Sequence, residues 1–223
     1  MIYIFHKDAG DKTLNIKGEV HKYLVKVRRH DIGDKIDFRS QENLKTLHTY
    51  EIKFLESRSV FLELISSTEH EVKAYKPLHI GWCVIDAKSA EKVLPSLCEI
   101  GVEKITFIYC DRSQKNFKAD FKRFDRIQEA SMQQSGRSSF IELDTCKNIQ
   151  TFIKTYPDTK VFDFCENILE DGSDFQTVLI GCEGGFSQNE RELLNKQDNF
   201  RLNSPMVLRS ESAVLAVASK IIL

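Results

Sequence analysis

A carboxylate surrounded by glycines is the first feature of this sequence that could do chemistry. Gly181, Glu183, Gly184 and Gly185 lie in the stretch TVLIGCEGGFS, which runs from Thr177 to Ser187. Glycine lets a ligand touch the backbone because no Cβ stands in the way, so main-chain groups here could hold a ligand. A tight strand-to-helix turn explains the same residues equally well. The spacing matches neither the dinucleotide-binding fingerprint nor the phosphate-binding Walker loop.

The elements that flank this loop can be predicted from the same stretch. Residues 177–180 form a short apolar, β-branched run, which is typical of a buried strand. Ser187 is followed three residues later by Glu190, a capping box, so a helix is expected to begin here. The free N–H groups of that helix would lie beside the loop, where they favour a polar or anionic ligand.

Composition limits the classes of protein to which the chain can belong. Its 223 residues suffice for one large or two modest domains, and 41% hydrophobic with 29% charged residues is typical of a globular protein. No apolar run approaches the roughly 20 residues that cross a bilayer, and the N-terminus resembles no secretion signal. The six cysteines form no CxxC pair, which favours reduced thiols in the cytoplasm. Cys165 and Cys182 could be ligands, but no Cys/His cluster has zinc spacing, so we predict no metal and no membrane.

The first 72 residues are predicted to form one small β-barrel with an inserted helix. Alternating or β-rich segments with turn residues between them predict strands at 1–5, 35–39, 49–55 and 59–65. Residues 19–29 carry an apolar helical stripe. The polar segment 71–77 ends in Pro77 and is the best candidate linker. The predicted domains are therefore 1–72 and 73–223.

Beyond the linker, strands alternate with helices, which indicates a mostly parallel sheet covered on both faces. Strands are predicted at 78–84, 104–109, 160–164, 177–181 and 200–202, with another candidate at 140–143. Helices are predicted at 88–100, 117–134, 149–155, 188–195 and 211–222. The last helix is apolar nearly all round, so it must be buried in protein. Gly101 is a natural C-cap for the first of these helices, and Pro95 inside that helix suggests a kink or a late start.

Three stretches, in order and spacing, resemble the RsmE family of bacterial methyltransferases. They are QSGR at 134–137, IGCEGGFS at 180–187 and LRSESA at 208–213. Weaker similarities are VRRHDIGD at 27–34, EIGV at 99–102 and DRS at 111–113. The family methylates N3 of a uridine in 16S ribosomal RNA with S-adenosylmethionine. The resemblance implies an α/β protein: an N-terminal PUA-like, RNA-binding β-barrel and a C-terminal SPOUT α/β-knot domain with a mostly parallel sheet. It also implies a cytoplasmic homodimer whose last segment forms a trefoil knot.

The resemblance places the cofactor in the glycine loop and in the segment before the last helix. Main-chain atoms are expected to do most of the binding. The implied cofactor-binding residues are Leu179, Ile180, Gly181, Glu183, Gly184, Gly185, Leu202, Asn203, Val207, Leu208 and Ala213.

Three residues inside the two motifs are candidates for catalysis: Glu183, Arg209 and Glu211. The N3–H of uridine has a pKa well above 7, so methylation there needs help in removing a proton. A carboxylate in a partly dry cleft can have its pKa raised towards neutrality, which suits a base. Glu211 could instead only complement the dipole of the last helix, and positioning with electrostatics could suffice without a single base.

Basic residues in two regions are candidates for contacts with RNA phosphates. From Arg112 to Arg137 there are seven Lys or Arg residues against three acidic ones. A solvated helix face is the usual meaning of such a run, and Arg112 could be a structural ion-pair partner. The predicted RNA-binding residues are Arg28, Arg29, Arg112, Lys118, Lys122, Arg126 and Arg137.

The sequence departs from the family at several positions. Cys182 stands for the usual proline, Ser204 and Met206 stand near the usual glycine and arginine, and Ser96 stands for a lysine. Two other functions therefore stay open: a SPOUT methyltransferase of another RNA base, and a non-catalytic RNA-binding factor in ribosome assembly. For the homodimer, we expect Asp at Val214 or Val217 to separate the subunits.

Overall fold

The structure, a computed structural model, describes residues 2–170 and 173–223. These residues divide into two compact units. The first consists of residues 2–73 with 132–139, and the second of residues 74–131, 140–170 and 173–223. Met1, the first residue of a predicted strand, lies outside the described residues.

The first unit contains a mixed five-stranded sheet that curls around an apolar core. Its strands are β1 (Ile4–Phe5), β2 (Thr13–Lys17), β3 (Lys35–Arg39), β4 (Thr46–Leu55) and β5 (Ser59–Glu69), in the spatial order β1-β3-β4-β5-β2. β1 pairs with β3 in parallel, and all other pairs are antiparallel. A helix, α1 (Gly18–Lys22), continues as a π-helical turn over Tyr23–Val27. The predicted inserted helix is confirmed in this form.

The second unit is built on a six-stranded sheet in which every pair is parallel. Its strands are β6 (His79–Cys83), β7 (Lys104–Ile108), β8 (Glu142–Cys146), β9 (Lys160–Phe162), β10 (Thr177–Ile180) and β11 (Asn199–Phe200). The helices after α1 are α2 (Ala87–Ile100), α3 (Phe121–Ser135), α4 (Ile149–Thr155), α5 (Gln188–Leu194) and α6 (Ser210–Ile222). The predicted alternation of strands and helices is confirmed.

The strand order of this sheet determines where a ligand can bind. The order is β11-β9-β10-β6-β7-β8. After β6, the chain adds β7 and β8 on one side of β6, and it later places β10 on the other side. In open parallel sheets, ligands bind beyond the carboxyl ends of the strands, where the direction of strand addition reverses. That point lies at the ends of β6 and β10, and the glycine loop follows β10 directly.

Local signals in the sequence account for the limits of α2. The side chain of Asp86 accepts a hydrogen bond from the N–H of Ser89, and Gly101 ends the helix with a φ of +106°. The predicted C-cap is confirmed. Pro95 lies inside a helix that continues past it, since proline removes only one of the helix's hydrogen bonds.

The apolar last helix is buried, as predicted, and it packs against α2 and β10. Val214 and Val217 are each 0% exposed within the single chain. The expectation that they lie on a free face for a second subunit is wrong, because the protomer itself covers this side of α6. An Asp at either position would destabilise the protomer instead. Among the described residues, no helix has both the length and the apolar character needed to span a bilayer.

Candidate functional site

A cavity of about 380 Å³ lies at the carboxyl edge of the second unit's sheet, at the ends of β9 and β10 and beside the reversal point described above. Three groups of residues supply most of its wall. They are the end of β9 with the two residues that follow it, the last residue of β10 with the glycine loop, and the segment that runs from the end of β11 into the first turn of α6. The lining residues in these groups are Phe162, Asp163 and Phe164; residues 180–186; and Arg201, Leu202, Ser204, Met206, Val207, Leu208, Ser210 and Ala213. Arg112 and Arg191 complete the wall.

The glycine loop has little room for side chains. Gly185 has a φ of +64°, and its N–H donates to the carbonyl of Cys182 at 2.9 Å, which closes a tight turn. A Cβ on Gly184 would lie 3.3 Å from two carbons of Arg112, and a Cβ on Gly181 would lie 3.4 Å from the Cα of Gly185. Glycine is therefore favoured by backbone conformation at Gly185, while a Cβ at Gly184 would press on the Arg112 side chain and one at Gly181 would make an ordinary contact.

The helix that follows the loop begins with the predicted capping box. The hydroxyl of Ser187 accepts from the N–H of Glu190, and the carboxylate of Glu190 accepts from the N–H of Ser187 at 2.8 Å. The other oxygen of Glu190 accepts from the N–H of Asp111 at 2.8 Å. Glu190 is buried, so this one carboxylate joins the start of α5 to the segment after β7.

Charged groups on the cavity wall are held by defined partners. Nη1 of Arg112 donates to the carbonyl of Gly184 at 2.7 Å. Arg191 donates to both carboxylate oxygens of Asp163, at 2.5 and 3.1 Å. This bidentate pair fixes a cation and an anion at the mouth of one cavity. Neither Arg191 nor Asp163 was predicted, because the pair forms between residues that are far apart in sequence.

A buried chain of hydrogen bonds ties the loop to α6. The hydroxyl of Ser210 donates to the carbonyl of Gly181 at 2.6 Å and accepts from the indole N–H of Trp82 at 2.8 Å. Ser210 and Trp82 are both buried. These bonds link the ends of β6 and β10 with the first residue of the last helix.

Ser210→Ala is expected to lower the free energy of unfolding by about 1–3 kcal/mol, because it leaves the Trp82 N–H and the Gly181 carbonyl without a partner. Urea unfolding measures this loss. Ser212→Ala is the matched control on the same helical turn, since Ser212 is exposed, and its effect should stay within about 0.5 kcal/mol. Equal stability of the two variants would contradict a structural role for the Ser210 hydroxyl.

Most residues of the predicted cofactor-binding set line this cavity. They are Ile180, Gly181, Glu183, Gly184, Gly185, Leu202, Val207, Leu208 and Ala213. Leu179 and Asn203 do not line it. Leu179 is buried within β10, and Asn203 is exposed outside the wall.

The three candidate catalytic residues differ in their surroundings. Glu183 is exposed on the cavity wall. Arg209 is the exposed N-cap residue of α6, and Glu211 lies in the first turn of that helix; neither lines the cavity. Oε2 of Glu211 is buried and has no hydrogen-bond partner among the described residues. A buried acceptor without a partner is costly and unusual in proteins.

The predicted RNA-binding residues fall into two groups by exposure. Arg28, Arg29, Arg112, Lys118, Lys122 and Arg126 are all exposed. Arg137 is only 7% exposed, and its Nε donates to the carbonyl of Ser139 at 2.6 Å. This environment favours a structural role for Arg137 over the predicted RNA contact, because its guanidinium is already engaged inside the first unit.

The sequence and this geometry can be compared with known proteins. The RNA methyltransferase domain family matches residues 72–222. Two proteins named ribosomal RNA small subunit methyltransferase E, from two strains of Helicobacter pylori, are 37% identical to this chain over 225 residues. Each alignment covers 98% of this chain and 98% of the relative. The chain belongs to the ribosomal RNA small subunit methyltransferase E family. The resemblance to the RsmE family is thereby confirmed.

Solved structures support the fold of this methyltransferase E family member. A probable rRNA methyltransferase from Porphyromonas gingivalis has a TM-score of 0.75 at 22% identity, covering 98% of this chain and 95% of the other. The methyltransferase E of Neisseria gonorrhoeae, solved with S-adenosyl methionine, has a TM-score of 0.74 at 16% identity, with the same coverage. The predicted α/β fold, a PUA-like barrel with a SPOUT domain, is confirmed.

Proposed function

We propose that the protein transfers the methyl group of S-adenosylmethionine to N3 of a uridine in the 16S RNA of the small ribosomal subunit. The observation that carries this proposal is the 37% identity, over 98% of the chain, to proteins named small subunit rRNA methyltransferase E. The cavity lies at the carboxyl ends of β9 and β10, the edge at which open parallel sheets bind small molecules, which supports the cofactor part of the proposal.

The residues of the cavity suit this cofactor. Its volume of about 380 Å³ is within the range of small-molecule sites. The side chains of Leu202, Val207 and Leu208 would face apolar parts of the ligand, while the backbone at Gly181 and Gly184 would hold its polar edges. When bound, S-adenosylmethionine supplies an electrophilic methyl group on a sulfonium. The protein's tasks are then to orient the acceptor base and to remove its proton.

Two carboxylates remain candidates for accepting the uridine N3 proton. Glu183 is a candidate because it lies on the cavity wall with an exposed side chain. Glu211 is a candidate because no described residue donates a hydrogen bond to its buried Oε2, and a base N–H would be a donor. Arg209, beside it in sequence, would offset the charge that develops on the base after the proton leaves.

Methyl transfer in vitro tests this proposal. The purified protein is incubated with labelled S-adenosylmethionine and small subunits from a strain that lacks the gene. We expect label in 3-methyluridine when the RNA is digested to nucleosides and analysed by mass spectrometry. Label in another base would overturn the assignment to uridine N3. Cofactor binding without any methyl transfer would favour the alternative of a non-catalytic assembly factor. The departures from the family at Ser204 and Met206, both in the cavity wall, are the reason for considering that alternative.

We also propose that the working form is a homodimer, as the family resemblance implies, and that it acts in the cytoplasm. Phe164, Met206 and Val207 are apolar, lie around the cavity and are 73%, 73% and 76% exposed. Exposed apolar side chains grouped at one site are typical of an interaction surface. We therefore place the proposed dimer contact at these three side chains instead of at Val214 and Val217 on the buried face of α6.

Phe164→Asp combined with Met206→Asp is expected to convert a dimer to a monomer, because burying unpaired carboxylates in an interface costs several kcal/mol. Light scattering at micromolar concentration measures the molar mass. Phe54→Asp, at an exposed phenylalanine of the first unit, is the matched control and should stay dimeric. A wild-type protein that is monomeric and fully active would contradict the dimer proposal.

A further inference from the structure

Three free cysteines lie at the carboxyl ends of three neighbouring strands. Cys83 is the last residue of β6, and Cys110 and Cys182 each lie two residues beyond the end of β7 and β10. Since β6 pairs with both β7 and β10, the parallel register brings the three chain positions to one edge of the sheet. Residues 72 positions apart in sequence, Cys110 and Cys182, thereby meet beside the candidate cofactor cavity.

The two outer thiols are close enough to react. Sγ of Cys110 lies 3.7 Å from Sγ of Cys182. A disulfide bond is about 2.05 Å long, so bond formation requires the sulfurs to approach by about 1.7 Å, a range that side-chain rotation and small loop movements cover. Among the described residues, no group of three or more His, Cys, Asp and Glu side chains could hold a metal ion.

The surroundings make the thiols unequal. Hydrogen bonds with the thiols of Cys182 and Cys83, and with the hydroxyl of Ser113 at 3.0 Å, lower the pKa of Cys110. The hydrogen bond with Cys110 and burial raise the pKa of Cys182. Cys110 is partly exposed and Cys182 lines the cavity, whereas Cys83 is fully buried. Cys110 thus has the thiolate character and access of an oxidisable cysteine, with Cys182 placed as its resolving partner.

We propose that Cys110 and Cys182 are a peroxide-sensitive thiol pair whose disulfide closes down the cofactor cavity. The Cys110 thiolate attacks one oxygen of hydrogen peroxide, the O–O bond breaks, and sulfenic acid and hydroxide form. The sulfur of Cys182 then attacks the Cys110 sulfur, the S–O bond breaks, and the Cys182 proton leaves with the hydroxyl group as water. A dithiol reductant restores both thiols by exchange, becoming a disulfide itself.

The disulfide would reach the cavity through two short connections. Cys182 belongs to the glycine loop, where its carbonyl accepts from the N–H of Gly185. Arg112, two residues after Cys110, donates to the carbonyl of Gly184. If the two sulfurs approach each other, the glycine loop is therefore displaced at two points: directly at Cys182, and at Gly184 through Arg112. We expect the affinity for S-adenosylmethionine to fall by about tenfold or more, within the usual range of coupling between sites; this second effect rests on the proposed function.

Peptide mapping tests the thiol pair without using activity. The full-length reduced protein is treated with hydrogen peroxide, alkylated under denaturing conditions and digested with trypsin. Cys110 falls in the peptide 105–112, and Cys182 shares the peptide 161–191 with Cys165, so Cys165→Ser is the matched control. We expect wild type and Cys165→Ser to give the linked pair of peptides, lost with dithiothreitol, and Cys110→Ser and Cys182→Ser to give none.

Calorimetry with S-adenosylmethionine, on reduced and oxidised Cys165→Ser, tests the effect on the cavity. If oxidation weakens binding of S-adenosylmethionine and dithiothreitol restores it, the proposed effect of the disulfide on the cavity is supported. Absence of the linked peptides, or a link from Cys110 to Cys83, would overturn the thiol pair. A complete disulfide with unchanged affinity would overturn the closing of the cavity. If the reduced protein binds no S-adenosylmethionine, the proposed function is overturned. The peptide map still shows whether the Cys110–Cys182 disulfide forms, because it does not depend on cofactor binding.

Discussion

Gly185→Val is expected to fold normally and to bind S-adenosylmethionine at least about a hundredfold more weakly, a loss of about 3 kcal/mol. Gly185 has a φ of +64°, a region that β-branched residues avoid because of the clash at Cβ. A Cβ at this position would meet little, its nearest neighbour being Nη2 of Arg191 at 3.8 Å. The loop must therefore change its backbone to relieve strain, and the cavity wall changes with it. Isothermal calorimetry measures the affinity, and circular dichroism checks the fold.

Gly18→Val is the matched control for this experiment. Gly18 has a φ of +67° with no atom within 4 Å of an added Cβ, so the backbone strain is the same. It belongs to the first unit and is not one of the residues that line the cavity. Its cofactor affinity should match wild type. Gly185→Val with wild-type affinity would refute the placement of the cofactor in the glycine loop.

Replacing Lys118, Lys122 and Arg126 together with glutamine should weaken RNA binding by about tenfold or more at low salt. All three are exposed, and Lys122 and Arg126 are four residues apart on α3, so they share a face. Each lost phosphate contact removes about 0.7–0.9 from the slope of log affinity against log salt, so the slope should fall by about 2 to 3. Filter binding of a 16S RNA fragment over a salt series gives both quantities.

A second triple variant, with glutamine at Lys147, Lys154 and Lys196, is the control. It distinguishes the loss of this particular basic face from a general loss of positive charge. These lysines are also exposed, and the change in net charge is identical. The control variant should keep the wild-type salt slope, and both variants should keep wild-type cofactor affinity. Equal slopes in the two triple variants would mean that this face of α3 is only solvated surface.

Local patterns in the sequence predicted most elements, because strands and caps depend on neighbouring residues. The capping box at Ser187 and the C-cap at Gly101 are examples. Two of the errors have physical reasons: one helix begins later than predicted, and one strand is missing from the prediction. α3 begins at Phe121 instead of Phe117, since buried Phe117 packs from the segment that precedes the helix. β2 is absent from the prediction, although Leu14 and Ile16 alternate with exposed residues as a half-buried strand requires.

The parts of the site that sequence could not predict depend on contacts between distant residues. The pair Cys110–Cys182 forms because the parallel sheet aligns the ends of β7 and β10, and the pair Arg191–Asp163 joins α5 to the end of β9. The burial of Val214 and Val217 likewise depends on α2 and β10, which cover a helix whose own pattern is apolar all round. An all-round apolar pattern predicts that a helix is buried, but it does not show whether the residues that cover the helix belong to the same chain or to a second one.

The most direct test of the central claim is a nucleoside analysis of 16S RNA by mass spectrometry. The RNA comes from a strain in which the gene is deleted, from the parent strain, and from the deletion strain complemented with wild type or with Gly185→Val. We predict that 3-methyluridine disappears on deletion, returns with wild type and does not return with Gly185→Val. A deletion strain that keeps its full level of 3-methyluridine, or that loses a different methylated base, would contradict the assignment.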